Sequence, residues 1–230
     1  MLAKRSLPIF IFLFASAIEI GTHLFSWPDR HLIFKPLIMI GLIGHYLVMS
    51  PKRSVLFLVA LVFCWLGDVL LIFVTSNELF FMGGLVSFLI GHIIYIFCYR
   101  QLQGNQNLNE LLGSQKVRFA FPIILAGTGL VVILYPSLGE LKIPVMVYAL
   151  AITLMTLSAL FRYGRTSKKS FGFIFFGAIL FMTSDSLLAI NKFKEPFSAA
   201  GTLIMLTYCL AQFFIVDGAL AHEKKYFQYS

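Results

Sequence analysis

Apolar residues fill this chain in eight long stretches, about 7–25, 32–50, 55–74, 79–99, 119–138, 143–163, 171–190 and 198–218. Each is close to the ~20 mostly apolar residues that a helix needs to cross the hydrocarbon core of a bilayer. The runs are continuous, without the short alternating pattern of a membrane barrel, so they predict helices. Turn-forming residues separate them: Trp27-Pro28-Asp29, Ser50-Pro51, Tyr135-Pro136-Ser137 and Glu195-Pro196. The longest connection, about 100–118, holds Gln103-Gly104-Asn105-Gln106-Asn107 and reads as a surface loop. In the first stretch Lys4 and Arg5 precede an apolar core, and Ala15-Ser16-Ala17 resembles a cleavage site. The apolar character nevertheless continues to Phe25, so an uncleaved first helix is expected. The prediction is an all-α integral membrane protein with eight transmembrane helices, organised as a single transmembrane domain over 1–230.

Composition agrees. Of 230 residues, 59% are hydrophobic and 12% charged, about half the charged share of a soluble domain. No polar stretch is long enough for a separate soluble domain. The formal charge of +8 therefore bears on topology. Thirteen Lys and Arg residues fall at the amino end, in the 2–3, 4–5 and 6–7 connections and at the carboxyl end, against five on the opposite side, Arg30, Lys35, Lys142, Lys192 and Lys194. The excess predicts that both termini are cytoplasmic, with His222-Glu223-Lys224-Lys225 as a solvated anchor. No basic run interleaves with aromatic residues on an exposed face, which argues against a nucleic-acid partner. Cys64, Cys98 and Cys209 lie in apolar segments without a C-x-x-C spacing, so they are expected to be packing residues rather than a zinc or redox site.

Against this background two acids stand out. Asp68 lies in Leu66-Gly67-Asp68-Val69-Leu70-Leu71 and Asp185 in Thr183-Ser184-Asp185-Ser186-Leu187-Leu188. A carboxylate at membrane depth is costly and marks function by default. A shift of 117 residues lays helices 3–4 on helices 7–8: Asp68 meets Asp185, Leu70-Leu71 meet Leu187-Leu188, Phe80 meets Phe197 and Gly84 meets Gly201. With four helices between the copies, this is a 4+4 parallel repeat, over about 1–110 and 115–230, whose axis follows the membrane normal. Both aspartates then share one depth, in the outer third of the bilayer. Glu19, His23, Lys35, Tyr148 and Asn191 fall on the same half, and His45, His92, Tyr95, Tyr208 and Gln212 on the inner half. Each also has an ordinary reading: Lys35 snorkels, His23 is interfacial, His45 packs beside Gly44, and Asp217 hydrates at the cytoplasmic end. Gly83-Gly84 and Gly41-Leu42-Ile43-Gly44 suit close helix packing better than phosphate binding.

Taken in order, five segments resemble the YhhN-like membrane proteins, a family that includes the lysoplasmalogenases. They are Lys35-Pro36, Leu66-Gly67-Asp68-Val69-Leu70-Leu71, Phe88-Leu89-Ile90-Gly91-His92-Ile93-Ile94-Tyr95, Ser184-Asp185-Ser186-Leu187-Leu188-Ala189 and Tyr208-Cys209-Leu210-Ala211-Gln212. The family often has Tyr-Tyr before the Ala-Gln pair, whereas here Tyr208 is followed by Cys209. The resemblance implies a lysophospholipid substrate, hydrolysis of the vinyl ether bond of lysoplasmalogens to a fatty aldehyde and glycerophosphoethanolamine or glycerophosphocholine, and no metal cofactor.

That chemistry suits the residues. Vinyl ether hydrolysis begins with protonation of the outer alkene carbon. Water adds to the resulting oxocarbenium ion, and the hemiacetal collapses. Two buried carboxyls sharing one proton offer an acid and a base at once. Asp68 and Asp185 are the expected catalytic pair, with either as the acid. Lys35 is expected to attract the phosphate, Glu19, Tyr148 and Asn191 to orient water or glycerol hydroxyls, and His92 and Tyr95 to support the pair from below. Phe-rich helix surfaces are expected to hold the alkenyl chain. Two other classes compete. A proton-coupled transporter also suits parallel repeats and buried carboxylates. A metal-dependent lipid hydrolase fits less well, because His23, His45 and His92 lie on different helices with no H-x-x-x-H spacing. If the chain is bacterial, helical spans point to the inner membrane.

Overall fold

The computed structural model describes residues 2–25, 31–104 and 110–227, with the side chains of 2–5 and 227 left aside. The turn at Trp27-Pro28-Asp29, the charge of Arg30 and the residues Asn105-Gln106-Asn107 fall outside the described residues, as do the side chains of Lys4 and Arg5. Eight helices follow one another: α1 (Leu2–Phe25), α2 (His31–Met49), α3 (Val55–Ile72), α4 (Glu78–Gln101), α5 (Gly113–Leu134), α6 (Lys142–Leu160), α7 (Lys168–Phe193) and α8 (Ala200–Phe227). Two short 3-10 turns, Tyr135–Ser137 and Gly139–Leu141, join α5 to α6. All eight are long and apolar enough to cross a membrane, and the protein is an integral multi-pass membrane protein.

Local chemistry sets several boundaries. Ser54 accepts from Phe57 N, Asn77 from Leu79 N and Ser167 from Ser170 N, so three helix starts satisfy an otherwise orphan backbone donor. The surface loop expected over about 100–118 is shorter, because α4 runs to Gln101 and α5 begins at Gly113. There Gln115 Oε1 accepts from Leu112 N, and the polar first turn of α5 continues the helix past its apolar run. Arg165 bonds Glu110 and Gln103.

The helices pair as hairpins α1–α2, α3–α4 and α7–α8, with α6 against α4 and α7. α8 closes the bundle on α1 and α2, while α5 lies outside against α6 and α7. One continuous core reaches residues of every helix, from Phe12 on α1 through Leu61, Tyr95, Ile123 and Met155 to Phe181 and Ile215. Glycines allow the closest crossings. A Cβ on Gly41 would lie 2.6 Å from the backbone nitrogen of Phe12. Cys64, Cys98 and Cys209 are free and buried.

The carboxyl end departs from the solvated anchor expected of it. α8 runs through to Phe227, and His222 and Glu223 are each only 2% exposed. Glu223 accepts from Tyr46 Oη and Ser50 Oγ, both at 2.5 Å, which keeps this turn of the helix inside the protein. Only Lys224 and Lys225 of the four face outward. Arg162 is also fully buried. The turn after α6, with Gly164 at φ 74, leaves its guanidinium bonding Leu102 O, Ser170 O and Ser170 Oγ.

Candidate functional site

Asp68 lies near the carboxyl end of α3, 2% exposed. Tyr208 of α8 donates its hydroxyl to Asp68 Oδ2 at 2.6 Å. One turn further along α8, Gln212 Nε2 donates to Tyr208 Oη at 3.4 Å. Gln212 Oε1 in turn accepts from Tyr95 Oη of α4 at 2.9 Å. The donors in this chain all point towards Asp68, so each bond polarises the next.

Asp185 on α7 is served differently. Tyr148 of α6 donates to its Oδ2 at 2.5 Å. His92 of α4 brings Nε2 to 3.7 Å from the same oxygen, beyond hydrogen-bond length. Both ring nitrogens of His92 are buried without a partner among the described residues. An imidazole left so is costly, and a small shift towards Asp185 would relieve it. Phe181 joins the two halves: its ring lies 4.7 Å from that of His92 and 5.5 Å from that of Tyr208. Phe88 completes the aromatic wall, 6.0 Å from Tyr208. Gly67 admits it, since a Cβ there would lie 2.6 Å from the Phe88 ring. The two carboxyls interact electrostatically, and Lys35 and Glu19 act on Asp68 in the same way.

Asp185 and Tyr148 also line a small apolar cavity with Leu71, Phe81, Phe88 and Met182, about 40 Å³ in volume. That is room for water but not for a lipid chain. Gly127 and Ala149 border both this cavity and an open apolar groove of about 760 Å³ between α5 and α6. The groove faces outward, lined by residues such as Val132, Ile143 and Leu150 that the bundle leaves exposed. A carboxyl therefore stands at the inner end of an apolar path from the bilayer.

Among the remaining residues singled out in the sequence, Glu19 is fully buried and accepts from His31 Nδ1 at 2.7 Å, with His23 Nε2 at 3.9 Å. Lys35 is half-buried on α2. Asn191 Oδ1 accepts from Phe197 N at 3.2 Å, which holds the α7–α8 connection. His45 Nε2 is 4.0 Å from Asp217 Oδ1, so both belong to the opposite end of the bundle.

Residues 30–219 match the YhhN family. The chain belongs to the YhhN family. It is 28% identical to human lysoplasmalogenase TMEM86B over 190 residues, which cover 82% of this chain and 74% of the relative. Against human lysoplasmalogenase TMEM86A it is 28% identical over 187 residues, 76% of this chain and 69% of that protein. A lysoplasmalogenase of Mycobacterium tuberculosis (strain CDC 1551 / Oshkosh) is 29% identical over 165 residues, 67% of this chain and 59% of its own length. No solved structure matches. The YhhN match takes in both aspartates, Lys35, His92, Tyr95, Tyr148, Tyr208 and Gln212, and leaves out Glu19 and His23.

Sequence reasoning set Tyr208 and Gln212 aside as polar residues of the inner half. Tyr208 instead reaches Asp68, and Gln212 bonds Tyr208 behind it. Two signals for this were present. The pair is spaced i, i+4 on one helix face, and the shift of 117 residues lays Tyr95 on Gln212, the two residues that bond each other. His31, beside a turn, carries no such signal. Its approach to Glu19 depends on how α1 and α2 fold back together.

Proposed function

We propose that this protein hydrolyses the vinyl ether bond of lysoplasmalogens, with Asp68 and Asp185 as the reacting carboxyls. The observation that carries the reading is the pair itself: two buried aspartates, each receiving a tyrosine hydroxyl, one of them lining an apolar cavity that meets a bilayer-facing groove. Relatives named lysoplasmalogenase favour a hydrolase over a proton-coupled carrier.

In this mechanism the alkenyl chain lies in the groove between α5 and α6, with its vinyl ether at the cavity. Asp185, the carboxyl that lines the cavity, gives its proton to the outer alkene carbon, and the double bond shifts to leave an oxocarbenium ion. Asp68, bonded by Tyr208, serves as the carboxylate that offsets the positive charge. A water molecule adds to the cationic carbon and returns a proton to the pair. The hemiacetal then breaks its bond to the glycerol oxygen, releasing a fatty aldehyde and a glycerophospho-alcohol, with one water consumed. Tyr148 holds Asp185 in place, and His92 lies beside it. Lys35 attracts the phosphate.

The same reading places the end of the bundle that holds Asp68 and Asp185 towards the outer leaflet and both termini in the cytoplasm, following the excess of Lys and Arg. In a bacterium the membrane is the inner one. It also treats α1–α4 and α5–α8 as parallel copies. The α3–α4 and α7–α8 hairpins, and the bond between the equivalent residues Tyr95 and Gln212, support that relation.

The test is mass spectrometry of purified protein incubated with a lysoplasmalogen, a saturated ether lysolipid and an ester lysolipid. Wild type should release aldehyde from the vinyl ether alone, and Asp68→Asn and Asp185→Asn should release none. Well-folded wild type that yields no product from any of the three would overturn the proposal.

A further inference from the structure

Apart from the carboxyl pair, three side chains converge where α1, α2 and α8 meet. Glu19 and His23 are one turn apart on α1, the spacing that puts two side chains on one face. His31 opens α2 across the turn. Its Nδ1 lies 2.7 Å from Glu19 Oε1, and His23 Nε2 lies 3.9 Å from the same oxygen. The two imidazole rings are 4.7 Å apart. One ligand atom from each of the three lies within 4.8 Å of the other two. Around a tetrahedral ion with bonds of about 2.0–2.1 Å, ligand atoms sit roughly 3.3 Å apart. Small side-chain rotations would close this set on one ion.

A second observation points to a ligand independently. Glu19 is fully buried, and its Oε2 accepts no hydrogen bond among the described residues. A buried carboxylate oxygen without a donor needs an explanation, and a missing ion is one. The neighbouring helix also leaves room for the histidine. Gly201 of α8 lies against the His23 ring, where a Cβ would collide with Nδ1. The ring is thereby held with Nε2 towards Glu19. Thr22 Oγ1 lies 3.3 Å from His31 Nδ1 and donates to Glu19 O, which steadies both residues.

We propose that Glu19, His23 and His31 form a site for one divalent transition-metal ion of the zinc class. Three protein ligands leave a fourth position open to water or another small ligand. Two imidazoles with a single carboxylate select such an ion over calcium or magnesium, which are taken by oxygen ligands. Lys35, which acts electrostatically on His23, opposes the charge and weakens binding without blocking it. Glu19 and His23 fall outside the family match. The site is separate from the carboxyl pair, and its test needs no substrate.

Full-length protein in detergent, stripped with a chelator, is titrated with zinc chloride by calorimetry, and bound metal is counted after gel filtration. Cobalt(II) serves as a spectroscopic probe. Wild type should take up one zinc per chain, and the cobalt complex should show the visible bands of a tetrahedral nitrogen–oxygen site. His23→Gln and His31→Asn should each weaken binding by at least the roughly 10–100-fold that follows loss of an outer-shell partner. Both histidine side chains are partly exposed, 29% and 34%, so these variants should fold, and melting curves check that they do. His45→Asn, at the other end of the bundle, should bind as wild type does. No stoichiometric uptake by wild type, or equal uptake by the His23→Gln/His31→Asn double variant, would overturn the site.

Discussion

Two buried polar networks occupy opposite ends of this bundle, and they are finished to different standards. At the basic end, Glu223 receives Tyr46 and Ser50, whose oxygens in turn accept from Ser54 N and Arg53 N. Arg162 bonds two backbone carbonyls and Ser170 Oγ, and Ser170 Oγ donates to Gly218 O. The Glu223 carboxylate and the Arg162 guanidinium are each surrounded by complementary groups, while His45 Nδ1 and Tyr99 Oη at that end have no hydrogen-bond partner among the described residues. At the other end, Asp68 and Asp185 are well held, but both nitrogens of His92 and one oxygen of Glu19 have no partner among the described residues. Both networks bury charge at a cost that the fold must offset. A closed set of bonds ties helices together and has little reason to change. An open set keeps capacity for a proton, water or ligand that arrives later, and strained or unfinished polar groups concentrate where function needs them. Burial of a charge alone does not separate the two cases; the completeness of its hydrogen bonding does.

The contrast can be broken by substitution. The largest effect is expected at the carboxyls: Asp68→Asn or Asp185→Asn should lower vinyl ether turnover by about 10²–10⁴-fold or more, with melting temperature in detergent unchanged or raised. Loss of folding in both variants, with wild-type turnover in whatever remains folded, would mean that this end is structural too. Next in size, Tyr208→Phe and Tyr148→Phe each remove one hydrogen bond to a carboxyl. At about 1.5–3 kcal/mol for a bond to a charged group, kcat should fall roughly 10–100-fold in steady-state assays with little change in stability.

Substitution at the basic end should have the reverse profile. Glu223→Ala leaves two buried hydroxyls without an acceptor, at a cost of about 1–3 kcal/mol each. It should lower the melting temperature clearly, while turnover per folded molecule stays near wild type. A large drop in kcat for folded Glu223→Ala would show that the two ends communicate. The smallest effect is expected at Asn191→Ala, which loses the bond to Phe197 N. Stability should fall by about 1 kcal/mol in thermal denaturation, and kcat should not move, which would assign Asn191 to the α7–α8 connection and not to the substrate.

The apolar pattern by itself determined the eight helices, the membrane environment and the two aspartates that could not be idle there. Hydropathy is a local property, and a carboxylate in an apolar run is visible without any knowledge of its neighbours. Family membership was legible as well, because its segments are short and contiguous. Helix ends were less so: α8 continues nine residues beyond 218 to Phe227, since a buried Glu223 extends it, and that burial depends on Tyr46 and Ser50 from elsewhere in the chain. Only the tertiary structure decided which tyrosine serves which carboxyl and that His31 meets Glu19. Those pairings join residues 140, 37 and 12 positions apart. They depend on how helices cross and how far side chains reach, quantities set by packing between segments and carried by no single segment.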